Sequence, residues 1–249
     1  MKPALHLSHA PIVEAVIGIN VEMLPSSYLP ELKKIFAGFD ENYLAPEPTK
    51  SQKFQVDVRV DPAVMSHQED DLGFRAFSKD RKRLLQLNRN GFLFSRLAPY
   101  DRWGTFRDEA KELWKSYRTV AGFAAITEFG LRYVNRLSIP VGQPIERFLK
   151  VYPEVPSDSN ERPRNMNACF MRLQLELDDP HGLAIIQEIM LPPERPEVAT
   201  LALDIDLRFQ RPVPSDGDEA VWGTLELARH AKNELFVQFL TPEFMRTFE

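Results

Sequence analysis

With 249 residues, 43% of them hydrophobic and 27% charged, the chain has the composition of an ordinary globular protein and the length of one large domain or two fused halves. A net charge of −5 excludes the global basic field that draws proteins onto nucleic acid or anionic lipid. A single cysteine, Cys169, excludes an internal disulfide and a cysteine-rich metal cluster; no apolar run is long enough for a membrane span or signal peptide, so a cytoplasmic protein is expected.

From Val13 to Met23 apolar side chains alternate with polar or small ones, which predicts a strand with one buried face. Pro25-Ser26-Ser27 then opens a helix whose stripe is Leu29, Leu32, Ile35 and Phe36. A second strand is predicted through Phe54, Val56, Val58 and Val60, followed by an acidic loop from Asp61 to Asp71 and a short strand over Phe74 to Ser78. The basic run Lys79 to Arg83 reads as a turn, and Leu84 to Asn88 with Phe92 to Leu97 flank the hairpin signal Asn90-Gly91. A long helix over Arg102 to Thr119 is predicted next, capped by Asp101 and ended by Gly122. Its buried stripe is Phe106, Ala110, Leu113, Trp114 and Tyr117.

Ile126 to Pro140 opens the second half as a strand with Phe129, Leu131, Tyr133 and Leu137 on one face and Glu128, Arg132 and Arg136 on the other. A helix is predicted over Ile145 to Val151, then strands over Cys169 to Leu177, Leu183 to Leu191 and Ala199 to Gln210. A second long helix begins near Glu219, and Thr241-Pro242 caps a short terminal one. Trp103-Gly104-Thr105 at the first long helix recurs as Trp222-Gly223-Thr224 in the last, although beyond the first turn Leu113 and Trp114 fall on Lys232 and Asn233.

The expected fold is therefore α+β: two tandem repeats, residues 1–122 and 123–249, each running strand, helix, antiparallel meander and long helix. Together they would form a curved antiparallel sheet with helices on one face. That order resembles the saddle of the TATA-box-binding protein, whose halves join through their first strands; the likeness is topological and carries no function.

Pro11-Ile12-Val13-Glu14-Ala15-Val16-Ile17, Gly130-Leu131-Arg132-Tyr133-Val134-Asn135-Arg136 and Leu203-Asp204-Ile205-Asp206 together resemble a sporadically distributed prokaryotic family of uncharacterised proteins of similar length. The resemblance implies patchy occurrence of the kind seen for accessory genes, as in defence or toxin–antitoxin cassettes. It supplies no activity and no catalytic residue.

Glu14, Glu128, Arg132 and Arg136 form the candidate ligand-binding set, because the saddle would bring both first strands' polar faces together. Their opposite charges either pair across strands or, in a cleft, let the two guanidinium groups bind a carboxylate or phosphate. The expected function is non-catalytic recognition of a protein partner or an anionic ligand through this face. The alternative is a metal-assisted phosphohydrolase or nuclease using Asp204 and Asp206, which share a strand face, with Glu188 or Glu176 as a third ligand. The five histidines have no ligand spacing, and no phosphate loop or nucleophile elbow is present, so no cofactor or resident metal is expected. Nucleic-acid binding by the basic segment Arg81 to Asn90 is the less favoured reading of that hairpin, and no membrane partner is expected.

Overall fold

The computed structural model describes residues 7–39, 41–57, 64–153, 168–210 and 217–249, the side chains of 52–57 and 64–68 excepted. Its strands are β1 (Ile12–Val21), β2 (Glu47–Asp57), β3 (Val64–Phe77), β4 (Arg83–Asn88), β5 (Gly91–Leu97), β6 (Ile126–Pro140), β7 (Phe170–Asp178), β8 (His181–Leu191) and β9 (Val198–Phe209). They form one open nine-stranded sheet in the order β2-β3-β4-β5-β1-β6-β9-β8-β7, with neighbours antiparallel. The helices are α1 (Leu29–Ala37), α2 (Trp103–Ala121), α3 (Asp218–Phe239) and the short α4 (Pro242–Met245). The protein is thus α+β, and the sheet runs without a break from the first half of the chain into the second through the β1–β6 pair.

Cross-strand partners share a face, so the register sorts side chains into two surfaces. Phe94, Ile17, Leu131, Leu207 and Ala184 align across five strands, with Phe92, Ile19, Phe129 and Phe209 in the next such row. All are buried. Burying a side chain of this size contributes roughly 1.5–3 kcal/mol, so these rows hold the sheet to whatever covers it. Both long helices lie on this face. From α2, Trp114 packs edge-on against Phe92 at 5.7 Å and Phe106 stacks on Phe94 at 5.5 Å. From α3, the Lys232 ammonium position lies 4.0 Å from the centre of the Tyr133 ring.

The two helices also brace one another. Trp114 Nε1 and the Arg118 guanidinium donate to Asp218 at the start of α3, while Trp103 Nε1 donates to Glu226. Lys111 of α2 in turn stands 5.5 Å from the Trp222 ring.

Local differences from the sequence reading have physical causes. Residues 64–71, expected in a loop, belong to β3, where strand pairing is supported by matched charges such as Lys50 with Glu69 at 2.8 Å rather than by apolar alternation. The helix expected over Ile145 to Val151 is a single 3-10 turn, Ile145–Arg147, because Leu149 leaves it to bridge Leu240. Arg102, not Asp101, occupies the N-cap position of α2, and no side chain caps it. The β4–β5 turn falls on Arg89-Asn90, one residue earlier than Asn90-Gly91, because Asn88 pairs with Gly91. There Arg89 is buried, donating to the Leu24 carbonyl and to Asp70. Cys169 is half-buried.

At the sheet centre Gly18 of β1 faces Gly130 of β6. A Cβ on Gly130 would sit 2.6 Å from the Leu207 carbonyl oxygen, whereas a Cβ on Gly18 meets nothing within 4 Å. Gly130→Ala is therefore expected to cost about 2 kcal/mol, since backbone must shift to admit it, while Gly18→Ala stays neutral or slightly stabilising. Denaturant midpoints of the two variants check this; equal midpoints would contradict the close approach at β9.

Candidate functional sites

The uncovered face carries the residues singled out from the sequence, in a line rather than a cluster. Gly18 and Gly130 floor a depression of about 310 Å³, walled by Asn20, Glu128, Arg132 and Arg208. Glu128 lies at one end and accepts from Asn20 and Gln210, each at 3.3 Å. Arg132, in the middle, makes a two-pronged bond to Asp204 at 2.9 and 2.7 Å. Arg136 pairs with Glu194 at 2.7 Å near the other end. Eight residues of strand, about 26 Å, separate Glu128 from Arg136, so no small ligand touches both. Glu14 lies near Arg132, whose positive charge it helps to favour, but accepts no side-chain hydrogen bond among the described residues.

Asp204 and Asp206 do share this face, yet each is engaged by an arginine: Asp204 by Arg132, Asp206 by Arg208 at 2.8 Å. Glu188 cannot join them. It pairs with Leu203 and so points to the helix side of the sheet, where burial pushes its carboxyl up to about 7 and its Oε1 has no partner. Among the described residues no three His, Cys, Asp or Glu side chains are placed to hold a metal ion. In the basic hairpin Arg83 is bound to Glu109 and Arg89 to Asp70, so two of its charges are already compensated.

A second site lies on the covered face, and the sequence reading missed it. Between α3, β6, the turn Tyr100–Trp103 and the N-terminal segment is a cavity of about 130 Å³. Arg229, Lys232, Asn233 and Phe236 line it from α3; they are spaced i, i+3, i+4 and i+7 and so form one stripe of the helix. Tyr133 and Asn135 line it from β6, with their hydroxyl and amide anchored to Tyr100 at 2.9 Å and to the Leu203 carbonyl at 3.1 Å. Lys232 is only 7% exposed and, among the described residues, makes no hydrogen bond or ion pair; it lies over the Tyr133 ring face.

Burial, reinforced by the nearby positive charge of Arg229, lowers the Lys232 ammonium to about 7. Burial likewise pushes Tyr100 up to about 12 and Tyr133 well above the phenol range, so both hydroxyls keep their protons at neutral pH. The arrangement places an amine that is half deprotonated near pH 7 beside two neutral proton donors. A strongly shifted group facing a cavity is a common mark of a functional site.

A signal for this site was present. Counted from the Trp-Gly-Thr of each long helix, Ala110, Leu113, Trp114 and Tyr117 of α2 stand where α3 has Arg229, Lys232, Asn233 and Phe236. The apolar stripe is interrupted by polar residues on the face that must lie against the sheet. No family model matches the chain, and no curated protein matches it.

Two outcomes follow from these contacts. Asp204 has a side chain 4% exposed against 45% for Arg132, so Arg132→Ala leaves a buried carboxylate to be reached only by water. A loss of roughly 2 kcal/mol is expected, lowering Tm by about 4–8 °C, whereas Arg136→Ala, breaking an exposed pair, stays within about 0.5 kcal/mol. Calorimetry separates the two, and equal Tm values would show that the Arg132–Asp204 pair carries no stability.

Lys232→Met should make the protein more stable. The folded chain releases the proton near pH 7 and the unfolded chain near 10.5, so at and below pH 7 the native state bears the full cost of holding an ammonium without a partner. Wild-type stability therefore rises between about pH 7 and 10.5, and the variant lacks that rise. At pH 7 a gain on the order of 3 kcal/mol is expected, shrinking toward pH 10.5. A variant less stable than the wild type at pH 7 would contradict this.

Proposed function

We propose that the protein is a non-catalytic, cytoplasmic binding or accessory protein that holds a small anionic ligand in the cavity between α3 and β6. The observation that carries the reading is Lys232: a buried amine facing a cavity with no carboxylate to balance it. Arg229 and Arg102 also line the space with Asp101, and Arg229, paired through Nη1 with Glu226, keeps further N–H donors for an incoming anion. The volume is close to that of an engineered cavity of about 150 Å³ that accepts benzene, so a ligand of about six heavy atoms fits it.

On the open face, by contrast, Glu14, Glu128, Asp204 and Asp206 stand among the arginines, and Arg132, Arg136 and Arg208 are each already bound to a carboxylate. An anion there would have to displace a carboxylate held in place by the chain. The face suits a protein partner better than a small anion.

The reading extends to the origin of the fold. We infer that residues 1–122 and 123–249 are tandem repeats joined, in the manner of the TATA-box-binding-protein saddle, about a pseudo-two-fold at the Ile17–Leu131 pair. Three things support this: each half runs from a first strand through a meander whose last strand returns to pair with it, Glu14 and Glu128 are equidistant from that pair, and both long helices open with Trp-Gly-Thr.

An anion bound beside Lys232 raises the amine's pKa, so binding takes up a proton above about pH 7. Titration calorimetry with lactate is expected to show affinity falling about tenfold per pH unit above 7, with binding lost in Lys232→Met. Lactate affinity that is flat across this range, or retained in the variant, would remove the cavity as an anion site.

A further inference from the structure

We propose that the occupant of this cavity is a small 2-oxo acid and that Lys232 captures it covalently, its Nζ adding to the ketone carbon to form an imine. This rests on the cavity being the ligand site and deepens that reading by naming the chemistry of the ligand. Among the described residues Lys232 makes no hydrogen bond or ion pair, and its amine rests 4.0 Å from the centre of the Tyr133 ring, with its lone pair uncommitted when neutral.

The remaining groups fit the two ends of such a ligand. Arg229 commits Nη1 to Glu226 and keeps further N–H donors for a carboxylate; it lies one helical turn before Lys232, with Asn233 beside it. The Tyr100 and Tyr133 hydroxyls are 2.9 Å apart and share one hydrogen bond between two protons, which leaves one O–H to donate to the ligand's ketone oxygen. Around the amine the charged and titratable groups among the described residues are Arg229 with its partner Glu226 on α3, Tyr133 on β6, and Tyr100, Asp101 and Arg102 before α2. The N-terminal wall adds Leu7, Ala10, Pro11 and Ile12, none of which titrates.

The step balances without an external reagent. The neutral amine forms an N–C bond as the carbonyl π bond opens, giving a carbinolamine. The oxygen then leaves as water, carrying away the two protons lost from nitrogen, with the tyrosine pair relaying them. No oxidant or reductant is consumed, and hydrolysis returns the ligand unchanged, so the step is capture rather than turnover.

Pyruvate and lactate, which share a carboxylate and differ in the ketone, separate this proposal from the one it rests on. The full chain is incubated with each and treated with sodium borohydride, then read by intact mass and peptide mapping. The expected result is one reduced pyruvyl group on the peptide bearing Lys232, none with lactate, and a yield that increases as pH passes upward through about 7. The adduct is lost in Lys232→Met, whose melting curve reports that it is folded. If both acids raise Tm but pyruvate leaves no adduct, anion binding stands and covalent capture is overturned. If neither acid binds and no adduct forms, both readings fall. Adducts spread over surface lysines, with Lys232 unmodified, also overturn capture.

Discussion

The antiparallel pairing of β1 with β6 is the constraint on which the molecule depends. It makes one sheet of what would otherwise be a five-stranded and a four-stranded piece, each with a free central edge. It also sets which side chains go where. Because side chains alternate along each strand, fixing Ile17 opposite Leu131 sends the apolar rows of both halves to one face, and a slip of one residue would send half of them to water. Gly130 shows how tightly the register is held at this point, since the neighbouring strand leaves no room for a Cβ.

With the faces assigned, the two surfaces take on different chemistry. On the open side, polar residues remain in water and their charges are paired off across strands, which secures register and leaves little attraction for a small anion. On the covered side, two long helices must fill the space above the rows. α2 fills it with aromatic rings: Trp114 packs against Phe92 and stacks on Tyr117, while Phe106 stacks on Phe94. α3 instead puts Arg229, Lys232 and Asn233 into the corresponding stripe, and a cavity stands where side chains would otherwise meet.

Much of this was legible in the sequence. Period-two alternation marked β1, β6 and β9, because each has one face against helices and one in water, and helical periodicity marked α2 with its C-terminal Gly122. Only the end of β3 reads as a strand, at Phe74 to Ser78; its earlier part reads as a loop because pairing there is supported by cross-strand charges, as in the Lys50–Glu69 pair, which leave no apolar pattern. Arg132 could be placed on the polar face but not given its partner. Asp204 lies 72 residues away and becomes a neighbour only when β9 returns beside β6. Lys232 was illegible for a different reason: a lysine on a helix ordinarily reads as solvated, and only the interruption of a stripe that had to be buried marked it as something else.

That interruption bears on why the cavity exists. A lysine held at 7% exposure without a partner destabilises the native state, and an apolar residue at the same place, such as the leucine that α2 carries, would not. Lys232 is also not required to anchor α3, which is tied to α2 through Asp218 and Glu226 and to the sheet through neighbouring apolar residues. Its one contact with the sheet, over the Tyr133 ring, offsets only part of the cost of its burial, and that residual cost is what supports reading the cavity as a site. The asymmetry between α2 and α3 is one of packing: α2 fills the space above the sheet with aromatic rings, whereas α3 sets polar side chains at the corresponding positions and leaves a cavity beside them.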